Sequence, residues 1–344
     1  MKVSTGIPLT DLNKVPDAIR RVEAAGYDGV GTQENRQDPF LPLAVAAVNS
    51  ERVELATSIA ISFARSPMVF ANTGWDLQRA SHGRFVLGLG TQVKGHNERR
   101  FSVPWSAPAP RMRELVQCIK ATWHSWKTGE ALRFEGDHYT VTLMPPNFVP
   151  EPLDGPPPPI TIAAVGPGMM KVAAEVCDGV RLHPFSTRKY LEEVALPRLH
   201  AARAKDREQF EITGGGFIAT GSTDEAVARA FEWVRMRVGF YGSTRAYWPV
   251  FAAHGLEDLG EKLNHMSKTG QWDAMTGEVS DEVVHLFAAV GRHDEIAGAI
   301  EQRFGGMVDG ISLGTPVDEP GGVPDGLITD IQRIGSAFTG FHQS

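Results

Sequence analysis

Four places in the chain put chemically useful groups just past an apolar, strand-like run. Glu34 stands in Gln33-Glu34-Asn35, shortly beyond a run ending at Thr32. A carboxylate there can orient a substrate or relay a proton, or it is a solvated loop charge. His96 lies in a polar cluster with Lys94, Asn97, Glu98 and Arg99. An imidazole can donate a proton near neutral pH, whereas Glu98, Arg99 and Arg100 read more simply as surface charge. His183 follows the short strand Gly179 to Leu182 and precedes Pro184. Ala164-Val165-Gly166-Pro167-Gly168-Met169 ends a strand and opens a helix. Its glycines expose backbone N–H groups, and a helix N-terminus favours a phosphate. The loop lacks the Lys-Ser/Thr pair of a nucleoside triphosphate site. No His or His/Asp set has metal-ligand spacing, so no metal site is expected. Cys118 and Cys177 have no CxxC neighbour and read as buried thiols. An organic cofactor is left to supply the chemistry.

The elements that must position these groups follow from a short repeat. Gly26-Tyr27-Asp28-Gly29-Val30, Val176-Cys177-Asp178-Gly179-Val180 and Met307-Val308-Asp309-Gly310-Ile311 each follow a helix-like segment and lead into a buried strand. Three copies spread over the chain imply one α/β unit built from βα repeats. Strands are expected at Val3 to Ile7, Tyr27 to Thr32, Val53 to Ile61, Phe85 to Leu89, Ile160 to Ala164, Gly179 to Leu182, Phe210 to Ala219 and Gly310 to Leu313. Helices separate them, and Gly6-Ile7-Pro8-Leu9 after the first strand is not a dinucleotide-binding turn. The pattern predicts an α/β fold, a (β/α)8 TIM barrel with insertions after strands four and seven. A single domain is expected over 1–340. Residues 91–110 read as an active-site insertion without helix or strand pattern, 127–159 as a hairpin and Pro-rich connection, and 239–280 as an aromatic-rich insertion. His124, His200 and His293 read as helical.

Composition narrows the partners. The 344 residues carry a formal charge of -7 with no basic stripe, which argues against nucleic acid. No run approaches the ~20 apolar residues of a membrane span. The start, Met1-Lys2-Val3-Ser4-Thr5, already reads as a strand and not as a signal peptide, so a cytoplasmic location is expected.

The sequence resembles the bacterial luciferase-like flavin monooxygenase superfamily and, within it, the coenzyme F420-dependent oxidoreductases. The resemblance rests on Ala24 to Val30, Ala56-Thr57-Ser58-Ile59-Ala60, Ser81 to Gly90, Arg111-Met112-Arg113-Glu114 and Ala174 to Val180, in that order. It implies a flat deazaflavin or flavin ring in the barrel mouth, against the ends of strands three and four. A bulge at Thr57, Ser58 and Ile59, often with a non-prolyl cis peptide in the family, would back the ring. Gly90 would let the ring approach, while Thr91 and Gln92 hydrogen-bond its edge or its chain. The cofactor phosphate would sit at Val165, Gly166, Pro167, Gly168 and Met169. Glu34 and His96 would be the proton-handling residues. With F420 the reaction would be hydride transfer to or from a small organic substrate. With FMN, the alternative cofactor, it would be a reduced-flavin monooxygenation using O2. A noncatalytic ligand-binding barrel is a third reading. No NAD(P)H motif is visible, so a separate reductase or dehydrogenase would supply reduced cofactor. A homodimer is expected, with Phe240, Tyr241, Tyr247, Trp248 and Phe251 shaping an apolar substrate pocket or an interface.

Overall fold

The computed structural model describes residues 1–314, 323–324 and 326–341. Eight strand positions form one closed parallel sheet: β1 (Lys2–Thr5), β2 (Gly29–Thr32), β3 (Glu54–Thr57, resuming at Ala60–Ile61), β4 (Phe85–Gly90), β5 (Ile160–Ala164), β6 (Gly179–Leu182), β7 (Glu211–Gly214) and β8 (Gly310–Ser312). Neighbours pair in the order β3–β2–β1–β8–β7–β6–β5–β4, and β4 closes back onto both parts of β3. This is the (β/α)8 barrel that the repeats predict. Residues alternate across each strand. The outward set, including Val3, Val30, Leu55, Ile162, Val180, Ile212 and Ile311, is buried against the helices. Each such side chain contributes roughly 1.5–3 kcal/mol of burial.

The three Asp-Gly copies have a structural job at the N-terminal end of the barrel. Asp28, Asp178 and Asp309 each clamp the start of a neighbouring strand. Their carboxylates accept the backbone N–H of Val3, Ile160 and Ile212 at 2.7, 2.7 and 2.8 Å. Their own N–H groups donate to the carbonyls of those same residues. In the second copy the glycine that follows is required by space. A Cβ on Gly179 would lie 2.5 Å from the Glu211 carbonyl oxygen. Burial opposes ionisation of Asp178, but Lys120 and Lys205 outweigh it and hold its carboxyl below the ordinary range.

Elsewhere the structure departs from the pattern. Residues 91–110 contain a helix, Lys94–Arg100, and the next helix begins at Pro108. A seven-residue helix with one buried side chain, Asn97, has too little periodicity to announce itself. The seventh strand breaks at Gly214 and Gly215, whose φ values are 84° and 94°. Beyond the break, Phe217–Gly221 leaves the barrel and pairs in parallel with Ala288–Arg292, a strand the sequence hides behind a helix-like run. His293 lies in a turn after that strand. The helix after Thr223 runs through to Gly242, followed by helices Trp248–Ala252 and Glu257–Lys268. The hairpin pairs Phe134–Glu135 with Thr140–Val141.

Candidate functional site

The barrel interior changes character along its axis. At its N-terminal end Lys2 Nζ lies 2.8 Å from both Glu54 Oε2 and Glu211 Oε1. Burial alone would lower the Lys2 pKa; the two carboxylates outweigh it and hold it above the ordinary range. Glu211 shifts upward through its burial and the neighbouring Glu54. One layer higher, Arg181 Nε donates to Thr161 Oγ1 at 2.8 Å. Above that, toward the C-terminal ends, the inward positions are small. Alternation puts Ser4, Gly31, Ser58, Gly88, Gly90 and Ala163 there. Ser4, Gly31, Ser58, Ala163, Arg181 and Thr213 are only half-buried although they lie in a closed sheet. Solvent therefore reaches them through an open mouth at the C-terminal end. Barrels are ordinarily filled there by branched apolar side chains; this one is vacated.

The mouth is shaped by an irregularity in β3. From Ala56 to Ala60 the chain takes four steps while its partner β4 takes three, from Val86 to Leu89. The extra residue makes a bulge, and bulges re-aim side chains. The Ser58–Ile59 peptide inside it is cis. Ile59 turns toward Gly90, where a Cβ would meet its Cδ1 at 2.5 Å. Thr57 is fully buried and its hydroxyl is spent on β4. It donates to the Gly88 carbonyl at 2.7 Å and accepts the Gly88 N–H at 2.9 Å. Of the expected trio, Ser58 and Ile59 line the opening, while Thr57 fastens the wall behind it.

Glu34 braces this bulge. Its backbone N–H donates to the Ile59 carbonyl at 3.2 Å. Its Oε2 accepts the Ile61 N–H at 2.6 Å and Arg65 Nη1 at 2.7 Å. Arg65 reaches on to Asp38 at 2.8 Å. Glu34, its side chain 8% exposed and one oxygen occupied twice, ties the bulge to Arg65. Gly90-Thr91-Gln92 leads out of β4. Gln92 has φ 55°, and its own Oε1 accepts the Val93 N–H at 2.9 Å. His96 sits on the exposed face of helix Lys94–Arg100, whereas Asn97 points inward. Asn97 Nδ2 donates to the Thr91 carbonyl at 2.9 Å, and its buried Oδ1 has no partner. The sequence drew attention to the histidine; the loop is held by the residue beside it.

At the end of β5, the neighbour of β4, Gly166 caps helix Pro167–Val176 without any side-chain hydrogen bond. Pro167 has no N–H, so Gly168 and Met169 present the first backbone donors. The Val165 carbonyl is taken by the Tyr190 hydroxyl at 3.0 Å. His183 continues β6 into the mouth. Its Nδ1 accepts the Phe185 N–H at 3.0 Å, which assigns the proton of the neutral ring to Nε2. The rings of Tyr241 and Tyr247 lie 4.5 and 4.6 Å from it. Burial, aided by Arg237, pushes the His183 pKa down to about 4, so the ring is neutral at physiological pH. Arg237 is a residue that sequence reasoning passed over. Trp233, Arg237 and Tyr241 recur four apart on one helix, a spacing that puts them on one face.

A separate recess of about 970 Å³, lined by Arg188, Arg207, Gly305 and Gly306 among others, opens on the outer wall away from this mouth. Among the described residues, no group of three His, Cys, Asp or Glu side chains is placed to hold a metal ion. Both cysteines are buried, and burial raises the Cys118 thiol to about 11. No helix among the described residues is long and apolar enough to cross a membrane.

Comparison with known proteins agrees with the fold. The sequence profile described as luciferase-like monooxygenase matches residues 2–310. An uncharacterized protein of Mycobacterium tuberculosis is 46% identical over 312 residues, spanning 90% of this chain and 92% of its own. The solved coenzyme F420-dependent tetrahydromethanopterin reductase of Methanopyrus kandleri superposes with a TM-score of 0.74 at 18% identity, covering 98% of both chains. The FMN complex of a type II Baeyer–Villiger monooxygenase from Pseudomonas putida gives 0.63 at 18% identity, covering 97% of this chain and 98% of its own.

Proposed function

The chain belongs to the luciferase-like monooxygenase family and resembles its F420-dependent oxidoreductases, and from that premise we propose that it is an F420-dependent oxidoreductase acting on a small organic molecule. The observation that carries this reading is the vacated mouth. Ser4, Gly31, Ser58 and Ala163 put no bulky side chain on the inner wall and stay half-buried, and Ile59 lies against Gly90 as an apolar backing for a flat ring. The residues present fit such a group: the inward side chains are small and half-buried, and the absence of a Cβ at Gly90 lets Ile59 pack flat against the strand, where a Cβ would meet its Cδ1 at 2.5 Å. When bound, F420 supplies a hydride donor or acceptor at one ring carbon. Ser58, Ile59, Gly90, Thr91 and Gln92 would hold the ring. Gly166, Gly168 and Met169 would offer backbone N–H groups to its phosphate, with Val165 and Pro167 shaping that turn. Glu34 fixes the bulge through Ile61 and Arg65, and the neutral ring of His183, with Nε2 3.4 Å from the Tyr247 hydroxyl, would border the substrate space. His96, exposed on the covering loop, is the candidate for proton exchange with solvent.

A second reading, reduced-flavin monooxygenation with FMN, uses the same cradle and draws support from the FMN-bound neighbour of the same fold. Separate titration with F420 and FMN by fluorescence quenching decides between them. Failure of both to bind at micromolar concentration overturns the cofactor assignment. We assign the expected homodimer to the helices Phe40–Ala47 and Pro67–Ala80, where Leu41, nearby Val48 and Val69 are 56%, 70% and 47% exposed. Analytical ultracentrifugation of a Leu41→Glu/Val69→Glu variant tests it: the native chain sediments as a dimer and the variant as a monomer.

A further inference from the structure

We propose that Arg237 is the recognition group for a carboxylate or similar anionic substituent of the substrate, borne on a molecule whose planar or apolar body lies against Tyr241 and Tyr247 over His183. This rests on the reading of the barrel mouth as the active site and names the substrate class that the site takes.

The argument begins with an unmatched charge. Arg237 is half-buried, and its Nε is enclosed without a hydrogen-bond partner. Among the described residues it makes no ion pair, and its guanidinium donates only to the Tyr241 hydroxyl. Three other shielded arginines of this chain carry carboxylate partners. Arg65 has Glu34 and Asp38, Arg207 has Asp309, and Arg235, two residues away on the same helix, has Glu232 and Asp281. Taking a guanidinium partly out of water without a counter-charge is unfavourable. Arg303 is buried without a carboxylate too, but it donates to the Ser186 and Gly215 carbonyls, whereas Arg237 has one phenol hydroxyl and ring faces.

Geometry says where that partner enters. The guanidinium lies 4.7 Å from the Tyr241 ring centroid, 5.6 Å from Phe240 and 5.7 Å from Trp233. Contacts with ring faces hold the cation in place without using its N–H groups. Five donors are available on a guanidinium, so an edge remains for a planar anion, which arginine binds in a paired fashion. Tyr241 joins this cation to the mouth, because its ring lies 4.5 Å from that of His183. Tyr247 stacks on the same imidazole at 4.6 Å. His183, held neutral, does not compete for the anion. The exposed rings of Trp233, Phe240 and Trp272 continue the apolar surface outward.

The test uses paired probes, 2-naphthoate and its isosteric carboxamide, binding to the full chain with and without saturating F420 or FMN. Calorimetry is expected to show the acid binding about tenfold or more tighter than the amide. Arg237→Met should erase that preference while its affinity for F420 and FMN stays unchanged, and Arg237→Lys should retain part of it. Equal affinity of acid and amide on the native chain overturns the proposal. So does a preference that survives in Arg237→Met. Weakened cofactor affinity in that variant, with the acid preference intact, gives the anion to the cofactor and also overturns it. If the methionine variant does not fold, Arg237→Lys decides: an undiminished acid preference there overturns the paired contact. If neither cofactor binds while the acid preference follows Arg237, the cofactor reading fails and the anion subsite stands.

Discussion

The two ends of the barrel interior solve opposite problems with opposite side chains. The N-terminal end is plugged by Lys2, Glu54 and Glu211 and clamped from outside by Asp28, Asp178 and Asp309. The C-terminal end is emptied by glycine, serine and alanine and rimmed by aromatic rings. One lysine shared by two carboxylates makes the lower end a staple. Space and unmatched donors, at Arg237 and at the uncapped helix after Gly166, make the upper end receptive. The lesson is that acidic residues repeated through the sequence mark the clamped end of this barrel, and missing side chains mark the open one.

Glycine substitutions should break this contrast most severely. A Cβ on Gly88 would lie 1.9 Å from the Thr57 carbonyl oxygen, backbone against backbone. Gly88→Ala is expected to cost about 3 kcal/mol or more and to abolish the cooperative melt. At Gly90 the obstacle is only the flexible end of Ile59, so Gly90→Ala should fold. The displaced side chain would then enter the ring space and weaken cofactor binding by about tenfold, or ~1.4 kcal/mol. Circular dichroism melts beside cofactor titrations check both. If the two variants behave alike, the division of the interior is misplaced.

Lys2→Met probes the staple. It strands Glu211, whose side chain is 1% exposed, and should destabilise by about 3–5 kcal/mol in denaturant unfolding. Adding Glu211→Gln removes the stranded charge and should recover much of that loss. No recovery would place the damage elsewhere than in the charge cluster.

The mouth carries its own pH signature. His183 has a folded pKa of about 4 against an ordinary 6.5. Between these values the unfolded chain takes up a proton that the folded chain refuses. Its contribution is therefore complete above pH 6.5 and is lost as pH falls toward 4, by about 3 kcal/mol at most. His200 and His254 are lowered too and act in the same direction. His183→Asn should flatten part of the acid limb of stability measured from pH 7 to 4. An unchanged limb would refute the burial of this ring.

The smallest effects on stability separate Glu34 from His96. Glu34→Gln weakens the brace on Ile61 and Arg65 and should cost about 1–3 kcal/mol. His96→Ala, on an exposed face, should stay within about 0.5 kcal/mol of the native chain. Single-turnover rates then sharpen the assignment. If His96 exchanges the reaction's proton, its loss slows turnover by about 10²-fold or more with the melt unchanged. A native rate in His96→Ala removes it from the chemistry.

Much of this molecule was legible from one dimension. Strand alternation, helix periodicity and the three Asp-Gly turns are local patterns, and local backbone physics was enough to give eight strands and the barrel. The opening at Gly90 and the turn at Gly166 were also readable, because a glycine closing a strand marks a turn or a close approach to the backbone. Tertiary structure alone decided the rest. Glu34 became a brace because Arg65 and the Ile61 amide, distant in sequence, converge on one of its oxygens. Thr57 was withdrawn from the opening by a hydrogen bond across strands, and Asn97 rather than His96 turned inward because the helix Lys94–Arg100 presents that face. Arg237 acquired its meaning only from what failed to come near it. The chain sets which residues carry charge; whether a charge is matched depends on partners that folding brings together, and no spacing in the sequence records that.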